Sequence, residues 1–180
     1  NLSDTIHNEH INVLTIGGIR DYEQNAAIIS SLGNKKDFLI SFVGRGNDAS
    51  RLEAFAIQEN YNNVTFSGYY AKKDEPSIIQ QCTLMNIFYP RKLSHDTALS
   101  NRFYNSIFFR KPMITTANTI QGEYTKNYKL GLAINDTTNL AENIKEYLNT
   151  FDKEEYEKNR RKLLKTFLSD YKIFEEKVLT

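Results

Sequence analysis

The segment ALSNRFYNSIFFRKPMI, residues 98–114, places two amides and a guanidinium, Asn101, Asn105 and Arg102, at the start of an otherwise apolar stretch. Helical spacing sets Asn101 and Asn105 on one face, at i and i+4. Their amides can donate to and accept from hydroxyls such as those of a ribose. Arg102 can reach a diphosphate with a forked pair of donors. A capped, solvated first turn would use the same residues. Gly17 and Gly18 end a short apolar run, and Arg20 follows. Glycine there lets backbone N–H groups approach a phosphate, the next helix start favours an anion, and Arg20 adds a bidentate contact. A tight turn beside a surface arginine is the plainer alternative.

Other residues carry weaker signals. Gly44-x-Gly46-x-x-Ala49 has a dinucleotide-like spacing, but it follows the second apolar run rather than the first, and a plain turn explains it equally well. Tyr69, just after Gly68, can stack on a flat base or simply half-bury in a turn. His95 and Asp96 are adjacent in a polar loop, where a solvated histidine is the expected reading over acid–base chemistry. His7 and His10 fall in the amino-terminal segment, so the spacing supports no metal site. Cys82 reads as packing rather than as a nucleophile. Neither a serine nucleophile elbow nor a Walker phosphate loop is present.

These residues need a frame to hold them. Apolar runs at 11–18, 37–44, 63–68, 84–89, 112–117 and 130–134 predict strands, several continuous enough to be buried on both faces. Helical spacing predicts helices over 22–33, 49–61, 74–82, 100–110, 120–128 and 138–151, with Asn47 or Asp48 capping the second and Asp136 or Thr137 the last. Strand and helix alternate about six times. The pattern predicts an α/β fold: a Rossmann-like, doubly wound, mainly parallel sheet of about six strands, with helices on both faces. Ligands of such sheets bind beyond the carboxyl ends of the strands. The loops at 17–21, 44–48, 67–74, 90–100 and 117–122 lie there, and they hold most of the residues singled out above.

Residues 1–10 read as a linker, 11–151 as the α/β domain, and 152–180 as a long carboxyl-terminal helix. That helix carries an apolar stripe through Tyr156, Leu163, Leu164, Phe167, Leu168, Tyr171, Phe174 and Val178. An unbroken helix there is roughly 40 Å long, so it is expected to pack on this domain and on a part of the protein outside this sequence. The chain begins with Asn1 rather than Met, which suits a piece of something larger. Its basic cluster, Lys158, Arg160, Arg161, Lys162 and Lys165, has the composition of a peripheral membrane helix, diluted by Glu154, Glu155 and Glu157 to a solvated face.

The composition narrows the classes. The chain has 180 residues, 40% of them hydrophobic and 25% charged, as an ordinary globular domain does. Its 23 basic and 22 acidic residues nearly cancel, which argues against nucleic acid as a partner. A single cysteine rules out an internal disulfide and fits a reducing, cytoplasmic compartment. No apolar run reaches the ~20 residues that span a bilayer.

The run Ser100-Asn101-Arg102-Phe103-Tyr104-Asn105 through Lys111-Pro112-Met113-Ile114 resembles, without a gap, the PNKLFEYLALGKPVI segment of GT-B glycosyltransferases of the group 1, capsular-polysaccharide type. VLTIGGIRDYEQNAAIISSL is similar to the opening strand and donor-phosphate loop of that family. FLISFVGRGNDASRLEAFA, NVTFSGYY, CTLMNIFYP and YKLGLAINDTTNLAENIKEYL resemble further segments of it, in its order, over about residues 11–150.

The resemblance implies a carboxyl-terminal, donor-binding domain that takes a nucleotide-diphosphate sugar as co-substrate, with no further cofactor and no metal. It implies sugar transfer to a glycan or lipid-linked acceptor in bacterial surface polysaccharide synthesis, at the inner face of the plasma membrane. The acceptor site and the general base belong to an amino-terminal domain, so this chain alone is expected to be inactive. Two glutamates usual in the related retaining enzymes are matched here by Thr97 and Asn105. The second usually holds the donor ribose, and Asn105 offers a hydrogen bond without a charge. The family's first-loop arginine and lysine are matched by Gly18 and Glu23, leaving Arg20 as a substitute. A non-catalytic nucleotide- or partner-binding domain is one alternative. Another is an NAD-binding module, for which Asp37 lies at the right distance but the first loop lacks a third glycine.

Overall fold

The computed structural model of the chain describes residues 10–178. The linker expected over 1–10, His10 apart, lies outside them, as does His7. Six strands, β1 (Ile11–Gly18), β2 (Phe38–Arg45), β3 (Val64–Phe66), β4 (Leu84–Ile87), β5 (Met113–Thr116) and β6 (Gly131–Ile134), form one sheet in the order β3-β2-β1-β4-β5-β6. Every pairing is parallel. The helices are α1 (Tyr22–Leu32), α2 (Ala49–Gln58), α3 (Glu75–Gln80), α4 (Leu93–Asp96), α5 (Asn101–Phe109), α6 (Ile120–Asn127), α7 (Leu140–Asn149) and α8 (Lys153–Val178), with a 3₁₀ turn at Lys72–Asp74 before α3. The doubly wound parallel sheet read from the sequence is the fold observed.

Alternation along the strands divides the core. Val13, Ile40, Phe42, Leu84 and Ile114 point to one face, where Ile28 and Leu32 of α1, Leu52 of α2 and Ile144 of α7 cover them. Leu14, Ile16, Met85, Ile87 and Met113 point to the other, beneath Ile79 of α3, Phe103 and Ile107 of α5, and Tyr156 and Leu163 of α8. A strand covered on both faces has no polar side to show, which is why the runs read as continuously apolar.

Helix ends follow local chemistry. Ser100 caps α5 by accepting from the Phe103 N–H, and Arg110 closes it in a left-handed conformation before Pro112. The Lys111 ammonium turns inward and donates to the carbonyls of Gln80 and Cys82, at 2.8 and 2.7 Å, neutralising the carboxyl end of α3. Burial lowers the Lys111 pKa. Two expectations need correction. The loop after β4 contains the short α4. The N-cap of α7 is Asn139, in a left-handed conformation, rather than Asp136 or Thr137. Asp136 accepts instead from the Thr138 N–H at 2.8 Å, which stabilises the turn ahead of the helix.

A buried polar chain crosses the middle of the sheet. The Asn86 amide on β4 donates to Thr15 Oγ1 (2.9 Å) and Asn25 Oδ1 (3.1 Å), and its oxygen accepts from the Phe88 N–H. Asn25 in turn donates to the carbonyls of Arg20 (2.6 Å) and Asp21 (3.1 Å). The loop after β1 is therefore tied through α1 to β4. Asn86→Ala should lower unfolding free energy by about 2–3 kcal/mol, the cost of leaving buried partners unpaired. Urea denaturation should show a lower midpoint with an unchanged m-value.

Candidate functional site

The strand order reverses direction between β1 and β4, and there the sheet opens. β1 pairs with β4 only at Val13–Leu84 and Leu14–Met85, while its pairing with β2 continues to Gly17–Gly44 and Gly18–Arg45. The carboxyl end of β1 thus parts from β4 and leaves a crevice, as expected at a topological switch point. A cleft of ≈ 420 Å³ fills it, lined by Gly17, Gly18 and Arg20 after β1 and by Asn101, Arg102 and Asn105 of α5. A smaller hollow of ≈ 270 Å³ adjoins it, lined by Gly17, Gly44, Arg45, Tyr69, Tyr70 and Lys72. The two share Gly17, Tyr70 and Lys72.

Of the nine residues given a nucleotide-binding reading (Gly17, Gly18, Arg20, Gly44, Gly46, Tyr69, Asn101, Arg102 and Asn105), eight line one hollow or the other. Gly46 lines neither, and its absent side chain has another use. A Cβ there would lie 1.8 Å from the Ile19 carbonyl oxygen. At Gly44 the conflict would be with Gly17 O at 2.0 Å, and its φ of +135° also excludes most side chains. The two glycines let the loops after β1 and β2 pass in contact.

The three α5 side chains play different parts. Arg102 is 8% exposed and points back at the sheet. Its Nε donates to Ile16 O at 2.6 Å and a terminal nitrogen to Gly18 O at 2.7 Å, with the guanidinium carbon 5.5 Å from the Tyr89 ring centre. It holds the end of β1 against α5. Asn101 is exposed at the helix start. Asn105 donates to Glu75 Oε1 at 3.0 Å. Arg20 is exposed, with its Nε over the space a Gly18 side chain would take, and lines the cleft. Tyr69 is 70% exposed and carries the Arg45 guanidinium 5.2 Å from its ring centre.

Glu75 was not singled out from the sequence, where Asp-Glu-Pro reads only as a helix start. It is 6% exposed yet lines the cleft. Tyr70 OH donates to Oε2 at 2.6 Å, and the Lys72 ammonium to Oε1 at 2.6 Å. Burial acts to raise the Glu75 carboxyl pKa, but the hydrogen bonds from Lys72, Tyr70 and Asn105 outweigh it and hold it below the ordinary 4.5. Burial, and then the bond to this carboxylate, push the Tyr70 phenol up to about 12. Glu75 is ionised and Tyr70 protonated at neutral pH. His95 also lines the cleft, its Nδ1 3.1 Å from Pro90 O and its ring beside Tyr89. Cys82 is fully buried and its thiol is pushed up to about 12, principally by burial, which suits packing. Among the described residues no cluster of His, Cys, Asp and Glu could hold a metal ion, and no helix is long and apolar enough to cross a membrane.

A larger cavity, ≈ 610 Å³, lies at the β6 edge. Glu123, Asp152 and Glu155 line it against Lys126 and Lys129, and Lys129 is already paired with Glu155 at 2.7 Å. Its charge suits an anion less well than the switch-point cleft does.

Two outcomes test the supporting roles of Arg102 and Glu75. Arg102→Leu should cost about 2–3 kcal/mol, the scale of a hydrogen-bonded charge lost from a buried site, read as a lower denaturation midpoint. Glu75 has a lowered folded pKa, so its stabilisation is complete above the ordinary 4.5 and is lost as pH falls through the folded value. Glu75→Gln should therefore be less stable than wild type at neutral pH, by about 1–2 kcal/mol. The two melting curves should converge in acid.

The sequence matches no protein-family model and no curated protein. Solved structures share the fold. The catalytic domain of cholesterol-α-glucosyltransferase from Helicobacter pylori superposes with a TM-score of 0.63 at 15% identity, over 88% of this chain and 98% of that one. The C-terminal domain of a group 1 glycosyl transferase (LpcC) from Francisella tularensis gives 0.61 at 16%, over 83% and 80%. HepE of Anabaena in complex with UDP-glucose gives 0.61 at 14%, over 91% of this chain and 50% of that one. At these identities the likeness is one of fold: the chain folds as the carboxyl-terminal, Rossmann-like half of a GT-B glycosyltransferase.

Proposed function

We propose that this chain is the donor-binding domain of a glycosyltransferase, which moves a sugar from a nucleotide-diphosphate sugar to an acceptor hydroxyl. The observation that carries the reading is the cleft at the switch point, where Gly17, Gly18, Arg20 and the start of α5 converge on one hollow and Tyr69 stands over the next. A diphosphate in the first compartment meets the Arg20 guanidinium and the amino-terminal dipole of a nine-residue helix. A flat base in the second meets Tyr69 and Arg45. Charge developing on the leaving diphosphate would be stabilised by the same groups. The complex of the Anabaena protein with UDP-glucose supports a uridine nucleotide as the first candidate.

In this reading the acceptor, a glycan or lipid-linked hydroxyl of a bacterial surface polysaccharide, docks on an amino-terminal domain of the same protein. That domain also supplies the general base. The surface assigned to it includes the exposed Leu168, Tyr171 and Ile173 of α8, with Tyr104 of α5 against Phe167 of that helix. Lys158, Arg161, Lys162 and Lys165 share one exposed face of α8 with Glu154 and Glu157, and the four cations are the candidates for contact with an anionic membrane surface. Arg160, of the same run, is buried and donates to Ile107 O at 3.1 Å, so it takes no part in that face.

Calorimetric titration with UDP, GDP and NAD tests the proposal. Binding of UDP or GDP is expected, and NAD binding with no response to either diphosphate would sink it. Arg20→Ala should weaken the diphosphate by about tenfold, or ~1.4 kcal/mol, at unchanged melting temperature because Arg20 is exposed. Full affinity in that variant would remove Arg20 from the site.

A further inference from the structure

The Glu75 carboxylate is an unusual group to find in a cleft meant for a diphosphate. It is buried, ionised, and ringed by three donors: Tyr70 and Lys72 from the loop before α3, and Asn105 from α5. An ionised carboxyl has about four acceptor positions, two per oxygen. Oε1 takes Lys72 and Asn105, while Oε2 takes Tyr70, which leaves an acceptor position at Oε2. A carboxylate repels phosphate, so what it faces in the cleft must be a donor. The position narrows the choice further. Tyr70 and Lys72, which hold Glu75, are also, with Gly17, the residues shared by the two hollows. A nucleotide that places its base beside Tyr69 and its diphosphate beside Arg20 must put its ribose at that junction.

We propose that Glu75 accepts a hydrogen bond from a ribose hydroxyl of the bound nucleotide, with Tyr70 and Asn105 as positioning residues that orient its carboxylate. The inference rests on the nucleotide-binding reading above. It also gives Asn105 a definite task. The amide holds the carboxylate, and the carboxylate holds the ligand. The negative charge at this point of the cleft comes from the start of α3, not from α5.

The test is titration of UDP and GDP, each against its 2′-deoxy and 3′-deoxy forms, and of UDP-glucose, into the wild-type chain and Glu75→Gln. Whichever diphosphate binds, removing the contacted hydroxyl should cost wild type about tenfold in affinity. Glu75→Gln should bind the ribo and deoxy forms alike, at the weaker level. Asn105→Asp, which sets a second carboxylate against the first and adds negative charge to the cleft, should weaken both forms and shrink the ribo-to-deoxy ratio. Equal wild-type affinity for ribo and deoxy forms overturns the ribose contact, even if Glu75→Gln does not fold. A loss in Glu75→Gln seen with UDP-glucose but not UDP also overturns it, in favour of a hexose hydroxyl. Unchanged affinity for every ligand in a folded Glu75→Gln removes the carboxylate from binding, while nucleotide binding itself stands. A wild-type chain that binds no nucleotide overturns both readings together.

Discussion

The two hydrogen bonds from Arg102 to the carbonyls of Ile16 and Gly18 hold the site in shape. β1 stops pairing with β4 at Leu14, so its last residues have no ladder on that side. A backbone left open there would need water, and the loop after it would be free to move. The guanidinium takes the place of a strand. Its planar donors reach two carbonyls on the same edge through two separate nitrogens while the guanidinium faces the Tyr89 ring. Once β1 is pinned to α5, Gly17, Gly18 and Arg20 are fixed relative to Asn101 and Asn105, and the cleft has two rigid walls.

Other interactions extend that constraint. Asn86 and Asn25 tie the Arg20–Asp21 backbone to β4 on the opposite face of the sheet. Gly44 and Gly46 let the loop after β2 pass the loop after β1 in contact. Lys111 and Arg160 place buried cations on the carbonyls ending α3 and α5, so both helices are held at their carboxyl ends, away from the cleft. The ligand-facing end of α5 keeps its first-turn dipole for an anion, whereas that of α3 carries the Glu75 carboxylate. Rigid support on one side and an exposed Arg20 on the other is the division that preorganised charge stabilisation requires.

Much of this frame was legible in the sequence. Strands buried on both faces leave continuous apolar runs, Lys111-Pro112 marks where α5 must stop, and the switch-point rule led to the loops that carry the glycines and Arg20. What was not legible depends on contacts between distant segments. Arg102 reads as a diphosphate ligand when only its own helix is considered. Its actual acceptors lie 84 and 86 residues earlier in the chain. Glu75 reads as a charge suited to a helix dipole, since its partner Asn105 lies 30 residues away. The polar character of the α5 start therefore has three causes: one side chain for the sheet, one for a neighbouring carboxylate and one for the cleft.

A crystal structure of the chain with a nucleoside diphosphate would test the central claim most directly. The account predicts the phosphates between Gly18, Arg20 and the start of α5, the ribose against Glu75, and the base beside Tyr69, with Arg102 still bonded to Ile16 and Gly18. A nucleotide bound at the β6 edge, or a diphosphate bound by a displaced Arg102, would contradict it.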